Sequence, residues 1–386
     1  MPHVAVGCAS DPDTSQAALA AAEQAAGALD GQCDLCLIFA SAPHLAAATE
    51  VQRVVDSTLE PTTLIGCGAG GVVGGAQELE EGPGVVVWAL SAPQGRIAAH
   101  RLSSAPVDGG VALGGLPDDP AEYGDAMIVL ADPSSFSADA LLMHLNSERP
   151  GMPVLGGLAS AAAPGSASLF CDGEILDAGA VACSLSGVEV LPCVSQGATP
   201  VGPEMTVTGA DGNLVSELAS RPALERLREA IEELEPSERD LAAQGLLMGV
   251  VIDENQPDYA RGDFLVRPVV GVDPGSGVVA LADRVRVGQT VRLHVRDADS
   301  ASADLDEALR AHVLALGDEG AAGALLFTCN GRGSHMFGRP GHDAEMVTEA
   351  LGAPVGGFFC AGEIGPVGGR SFTHGFTATL AIFPRV

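Results

Sequence analysis

The chain has 386 residues, of which 47% are hydrophobic but only 4% aromatic, and fifty acidic against nineteen basic residues give it a net charge of −31. At roughly twice the usual domain length two cores are expected, and the charge repels phosphate backbones and anionic lipid over a Debye length of about 8 Å, which excludes nucleic acid and membrane as partners. All nineteen basic residues are Arg, so a Walker A loop, a pyridoxal Schiff base and a kinase strand Lys are ruled out and no cofactor is called for.

The opening MPHVAVGCASDPD has no basic segment followed by an apolar one, so no secretory signal is expected. Glu23 interrupts the Ala-rich run from Ala17 to Leu29, and no apolar run reaches membrane-spanning length. Nine Cys at irregular spacing predict reduced thiols in a bacterial-type cytoplasm. Cys33 and Cys36 form CxxC, but the pair runs straight into the strand LCLIFA, so core thiols are expected there.

From that strand onward one pattern occurs three times: apolar strand, loop, helix, Pro, Gly-rich strand. It runs from Leu35 to Pro61 and LIGCGAGG, from Met127 to Pro153 and VLGGLAS, and from Ala324 to Pro354 and VGGFFCAGE. The spacing is 29 residues from Leu37 to Gly66 and from Met127 to Gly156, and 31 from Leu325 to Gly356. Each copy suits a β-loop-α-β unit, and strands without strict alternation suit burial on both faces. Gly66, Gly68 and Gly71 match GxGxxG, yet VVGGAQELEEGPG follows with β-branched residues instead of a helix, so a tight β-connection is expected there, not a dinucleotide site.

Further strands are expected at 85–90, 180–186, 246–252, 264–270 and 278–296, with a domain boundary in the Gly, Pro and Thr-rich stretch from Val194 to Gly212. Ser220 is placed to cap the helix ALERLREAIEEL. Alternation in VRVGQTVRLHVRD puts Arg292, His294 and Arg296 on one strand face, either solvated or with one Arg aimed at a ligand. In the third copy Asp343 and Glu345 occupy the first turn of a helix that Gly352 and Pro354 end. The fold class read from this order is α/β: two domains of mixed β-sheet with covering helices, built from repeated β-loop-α-β units.

The loop after the first strand of each copy faces the turn opening its last strand, where open α/β sheets bind ligands. Only the third copy is chemically rich there. From Gly323 to the end there are four Arg and four acidic residues, so the whole negative charge lies earlier. Arg332 and Arg339 offer planar forks for a carboxylate or phosphate, Gly turns expose N–H groups, Asn330 donates and accepts, and Glu363 accepts from an ammonium group. Together with Cys329, His335 and Cys360 these form the candidate ligand site, with an amino acid or related organic anion as the ligand class. Three alternatives stay open: Arg332 and Glu363 pair only to brace the loop, Cys329 or Cys360 acts as the nucleophile of an enzyme, or Cys, His and Glu hold a metal. The third lacks any recognised ligand spacing, so no metal is assigned.

CNGRG at Cys329–Gly333, FG at Phe337–Gly338 and GEIGP at Gly362–Pro366, with GNLVSELASRPALERL at 212–227, DFLVRPVVGVD at 263–273, LIGCGAGGVVGG and GGLAS, resemble the FIST family over most of the chain. The resemblance implies an N-terminal FIST domain over 1–200 and a C-terminal one over 201–386. It further implies a sensory module of prokaryotic signal transduction that binds a small ligand such as an amino acid. Gly68 stands where many relatives carry a hydroxyl residue, and Val72 stands where the C-terminal copy has Glu363. With no kinase, methyl-accepting or F-box segment expected, a signal would leave through a partner protein.

Overall fold

The computed structural model describes residues 1–161, 168–259 and 261–385. Two compact units are present, Met1–Ser195 with Leu305–Val386, and Gln196–Asp304.

The first unit holds all three repeats. The first copy comprises β1 (His3–Ala9), α1 (Thr14–Ala28), β2 (Leu35–Ser41), α2 (Ala42–Leu45), α3 (Ala48–Leu59), β3 (Thr63–Ala69), a hairpin β4 (Val72–Gly74) and β5 (Gln77–Leu79), and β6 (Val85–Ser91). The second comprises β7 (Arg96–Val107), β8 (Gly110–Gly114), β9 (Ala126–Ala131), α4 (Ala138–Glu148), β10 (Val154–Leu158), a hairpin β11 (Leu169–Cys171) and β12 (Glu174–Leu176), and β13 (Ala180–Ser186). After β14 (Leu191–Ser195) the chain builds the second unit: β15 (Thr199–Asp211), β16 (Leu214–Leu218), β17 (Arg221–Pro222), α5 (Ala223–Glu232), α6 (Pro236–Gln244), β18 (Leu247–Val251), β19 (Phe264–Asp273), β20 (Val278–Leu281) and β21 (Thr290–Val295). Helix α7 (Ala298–Leu316) leads back to the third copy: β22 (Ala321–Cys329), α8 (Ser334–Phe337), α9 (His342–Leu351), β23 (Val355–Cys360), a hairpin β24 (Gly362–Val367) and β25 (Arg370–His374), and β26 (Ala378–Pro384).

In each copy the two repeat strands are parallel neighbours, β2 with β3, β9 with β10 and β22 with β23. The register pairs Ile38 with Gly66, Val129 with Gly156 and Leu326 with Gly357. A Cβ on these glycines would sit 2.3, 1.9 and 1.8 Å from the carbonyl oxygen of the paired residue. Only glycine permits that approach, which is why the repeat carries it three times.

The hairpins are exchanged in a ring. The hairpin of the first copy pairs with β23 of the third, that of the third with β10 of the second, and that of the second with β3 of the first. The strand after each hairpin returns antiparallel to its own copy, β6 on β2, β13 on β9 and β26 on β22. Three mixed sheets result, orders β1-β6-β2-β3-β11-β12, β7-β13-β9-β10-β24-β25 with β8 beyond β7, and β14-β26-β22-β23-β4-β5. Their inner faces share one core, where Phe39, Trp88, Leu130, Leu155, Phe358 and Phe383 are buried together. Their outer faces are covered by α1 and α3, by α4, and by α7 and α9 respectively. Burial on both faces accounts for the unbroken apolar strands.

The second unit is a sheet of order β15-β21-β18-β19-β20-β16-β17, with antiparallel pairings throughout, over a core that includes Leu224 and Leu227 of α5. Three local expectations change here, the first being that the strand expected over 278–296 is two, β20 and β21, separated by residues 282–289. Pro222, not Ser220, precedes α5, and Ser220 has φ 60° in a turn from β16 into β17 that bends it away from the cap position. His294 is buried against Phe264 instead of lying on a solvated face, while Arg292 donates to the Gly202 carbonyl.

Candidate functional site

The candidate loop begins where β22 ends. Cys329 and Cys360 are register partners at the ends of β22 and β23, and the Asn330 N–H donates to the Cys360 carbonyl at 2.9 Å. The loop and the turn opening β24 therefore meet, as expected from the β-loop-α-β geometry. Gly331 lies under the Phe376 ring, 2.6 Å from where its Cβ would be. Gly333, at φ 98°, turns the chain before Ser334, whose N–H donates to Glu80.

Arg332 is 1% exposed, and its partner is Asp343, not Glu363. Nε donates to Oδ2 at 2.6 Å and Nη2 to Oδ1 at 2.8 Å, a two-point pairing between fully buried groups. Thr328 Oγ1 donates to the same carboxylate at 2.8 Å, and His342 Nδ1 lies 2.9 Å from Oδ1. Burial by itself would raise the Asp343 carboxyl, but the Arg332 charge and these hydrogen bonds outweigh it and hold the group well below the usual carboxylate range. Phe337 stacks on His342 with centroids 3.5 Å apart and lies 5.2 Å from the Arg332 guanidinium carbon.

Glu363 is 0% exposed. Its Oε2 accepts from the Thr377 N–H at 3.0 Å and Oγ1 at 2.8 Å, whereas Oε1 is buried without a hydrogen-bond partner. Burial pushes its carboxyl up to about 8 against the pull of the hydrogen bonds from Thr377 and the Cys329 thiol and of the Arg332 charge. Burial, then the neighbouring Glu363 charge, pushes the Cys329 thiol up to about 12, and burial also raises the Cys360 thiol well above its ordinary value. Phe376, φ 67°, and Thr377 cover this cluster, and the Cys329 N–H donates to the Thr377 carbonyl. His335 is exposed on α8, and Arg339 is exposed just beyond it, where it ion-pairs with Glu345. Cys329, Arg332, Cys360 and Glu363 are thus brought together in the interior, with Asn330 at its exposed edge.

Two further site residues come from the exchanged hairpin of the first copy. Glu78, 8% exposed, accepts from the Gly341 N–H at 2.9 Å and the Ala344 N–H at 3.0 Å, capping α9. Burial, then the Asp343 charge, pushes its carboxyl up to about 7. Glu80 accepts from the Ser334 N–H at 2.8 and 3.0 Å and from its hydroxyl at 2.8 Å. The acid-poor loop receives its acids from residues more than 250 positions away, which no local pattern in the sequence signals. Among the described residues no group of three His, Cys, Asp or Glu side chains is placed to hold a metal ion.

The FIST N domain matches residues 34–221 and the FIST C domain residues 223–366. The chain belongs to the FIST family. FIST domains are associated with small-ligand sensing in signal transduction. This FIST chain is 41% identical over 386 residues to the uncharacterized protein Mb0898c of Mycobacterium bovis, covering 99% of this chain and 98% of that one. It is 40% identical over 384 residues to the uncharacterized protein Rv0628c of Mycobacterium tuberculosis, covering 99% of each. No helix among the described residues is long and apolar enough to cross a membrane.

Proposed function

We infer that this FIST protein is a small-ligand-binding sensory protein of bacterial signal transduction, and that its third repeat takes the amino group of an amino acid or related small molecule at Glu363. The carrying observation is Glu363 Oε1, a buried carboxyl oxygen without a partner of ordinary hydrogen-bond geometry, on a group whose remaining neighbour is the weakly donating Cys329 thiol, in a cluster whose other carboxylates, Asp343, Glu78 and Glu80, hold strong donors. A buried acceptor left unpaired costs about 1–3 kcal/mol, so a donor from outside is favoured there. Arg332 is committed to Asp343, so the carboxylate of such a ligand is left to Asn330, His335 and Arg339 at the exposed edge. In domain terms the reading assigns residues 1–200 to the N-terminal and 201–386 to the C-terminal FIST domain. A partner protein then receives the signal.

Entry requires Phe376 and Thr377 to move. A bulky residue held at positive φ costs about 1–3 kcal/mol, and Phe376 holds that strain in the covering segment itself. Cys-dependent chemistry is the less favoured alternative, because thiols raised by burial stay protonated at neutral pH and are poor nucleophiles.

Calorimetry of the full chain with amino acids, the corresponding amines and the corresponding acids tests the reading. Amine-bearing compounds are expected to bind, to weaken about tenfold per pH unit below the Glu363 value of about 8 because the carboxyl must give up its proton, and to lose at least about tenfold in Glu363→Gln. Binding by the acids alone, or equal binding by Glu363→Gln, refutes it.

A further inference from the structure

The exchanged hairpins place one residue of each copy in an equivalent position. Phe170, Ile364 and Val73 pair with the repeat glycine strand, and their hairpin partners are Ile175, Thr373 and Glu78. Ile175 packs on the apolar cluster under α1 and α3, and Glu78 fills its position with a carboxylate on the first turn of α9. Thr373 is shorter than either. At Thr373 a cavity of about 480 Å³ opens between the loop after β9 and the β7–β8 arm.

Its lining has a definite donor and acceptor pattern. Ser104 Oγ accepts from the Ser137 N–H at 2.9 Å, and Ser137 Oγ accepts from the Ala140 N–H at 3.4 Å, so both hydroxyls keep a proton to donate. Ser134 Oγ donates to Asp132, and Thr373 Oγ1 donates to Asp139 at 2.6 Å, so those oxygens and the second Asp139 oxygen are left as acceptors. Phe136 and Val111 supply apolar surface, and no Arg, Lys or His is among the described lining residues. Hydroxyl groups, each of which both donates and accepts at a single atom, match this alternation of donors and acceptors. The volume falls within the roughly 300–1,000 Å³ of small-molecule sites.

We propose that the second repeat carries a separate binding site for a small neutral polyol, such as a monosaccharide or cyclitol, in the cavity between Ser104, Ser134, Ser137, Asp139 and Thr373. It lies on different residues from Glu363, so the two readings stand or fall separately.

The test is calorimetry of the full chain with glucose and myo-inositol as probes, and with choline and acetate as a cation and an anion. One of the two polyols is expected to bind at roughly millimolar Kd, with choline and acetate silent. Asp139→Ala and Ser134→Ala are expected to weaken binding about tenfold each, and Thr373→Ile, which installs the first repeat's residue, to abolish it. Glu363→Gln is expected to leave it unchanged. If Thr373→Ile melts below the wild type, Val111→Trp at the 41% exposed rim blocks the same cavity without touching the core. Absence of heat with both polyols, binding retained in the blocked variants, or binding of choline or acetate in place of the polyols would overturn the proposal.

Discussion

Glu363 of the third repeat and Val72 of the first occupy the same place in the exchanged hairpins, each one residue before the partner of a repeat strand, and each is 0% exposed. The first repeat fills that place with a β-branched apolar side chain, which satisfies the fold at no polar cost. The third fills it with a buried carboxyl whose Oε1 has no partner of ordinary hydrogen-bond geometry. The architecture therefore does not require the acid, and its retention against its own desolvation is what the proposed ligand role at Glu363 accounts for.

The largest test of that comparison concerns Arg332 and Asp343, which the first repeat also lacks. Removing one partner strands a buried charge, so Arg332→Met or Asp343→Asn is expected to lower stability by about 3–5 kcal/mol in urea unfolding, and Arg332→Met with Asp343→Leu to recover most of it. If the double variant is as unstable as either single one, the pair is a structural necessity and the contrast between the repeats loses its meaning.

A second test installs the first repeat's residue. Glu363 has a folded value of about 8 against about 4.3 in the unfolded chain, so the folded state holds the extra proton between those values. Its contribution is intact below about pH 4, falls as pH rises through 8, and is level above that. Glu363→Val is therefore expected to match the wild type near pH 5 and to exceed it by about 2–4 kcal/mol at pH 9, at about 1.4 kcal/mol per unit discounted for relaxation. A variant less stable than the wild type at pH 9 would show that Glu363 is structural.

The repeats were legible because the Gly and Pro spacing reports a local constraint, the close strand approach at Gly66 and Gly156; in the third copy the constrained glycine is Gly357, one residue beyond the Gly356 to which the spacing runs. The loop-to-turn meeting of Asn330 and Cys360 followed from the same unit. The ring of exchanged hairpins was not legible, since pairing Val73 with Gly357 depends on sheet edges nearly 300 residues apart in the chain. That gap also explains the charge reading. The local neutrality of the third repeat pointed to an external anion, whereas Asp343 takes Arg332 and the first repeat's Glu78 and Glu80 take the backbone donors.

The smallest expected effect distinguishes a built-in anion from an incidental contact. Glu80 is half-buried and holds only Ser334, a cap-like contact worth about 1 kcal/mol, so Glu80→Ala is expected to lower stability by that amount and to speed exchange of the Ser334 amide proton. The freed N–H then faces the neighbourhood of Arg339 and His335 with no carboxylate in place. Acetate that raises the melting temperature of Glu80→Ala, but not of the wild type, would mean that the third repeat's loop is an anion site occupied by its own chain. In that case the acid-poor segment has the anion-binding chemistry its composition implies, and the anion it holds is supplied by its own chain.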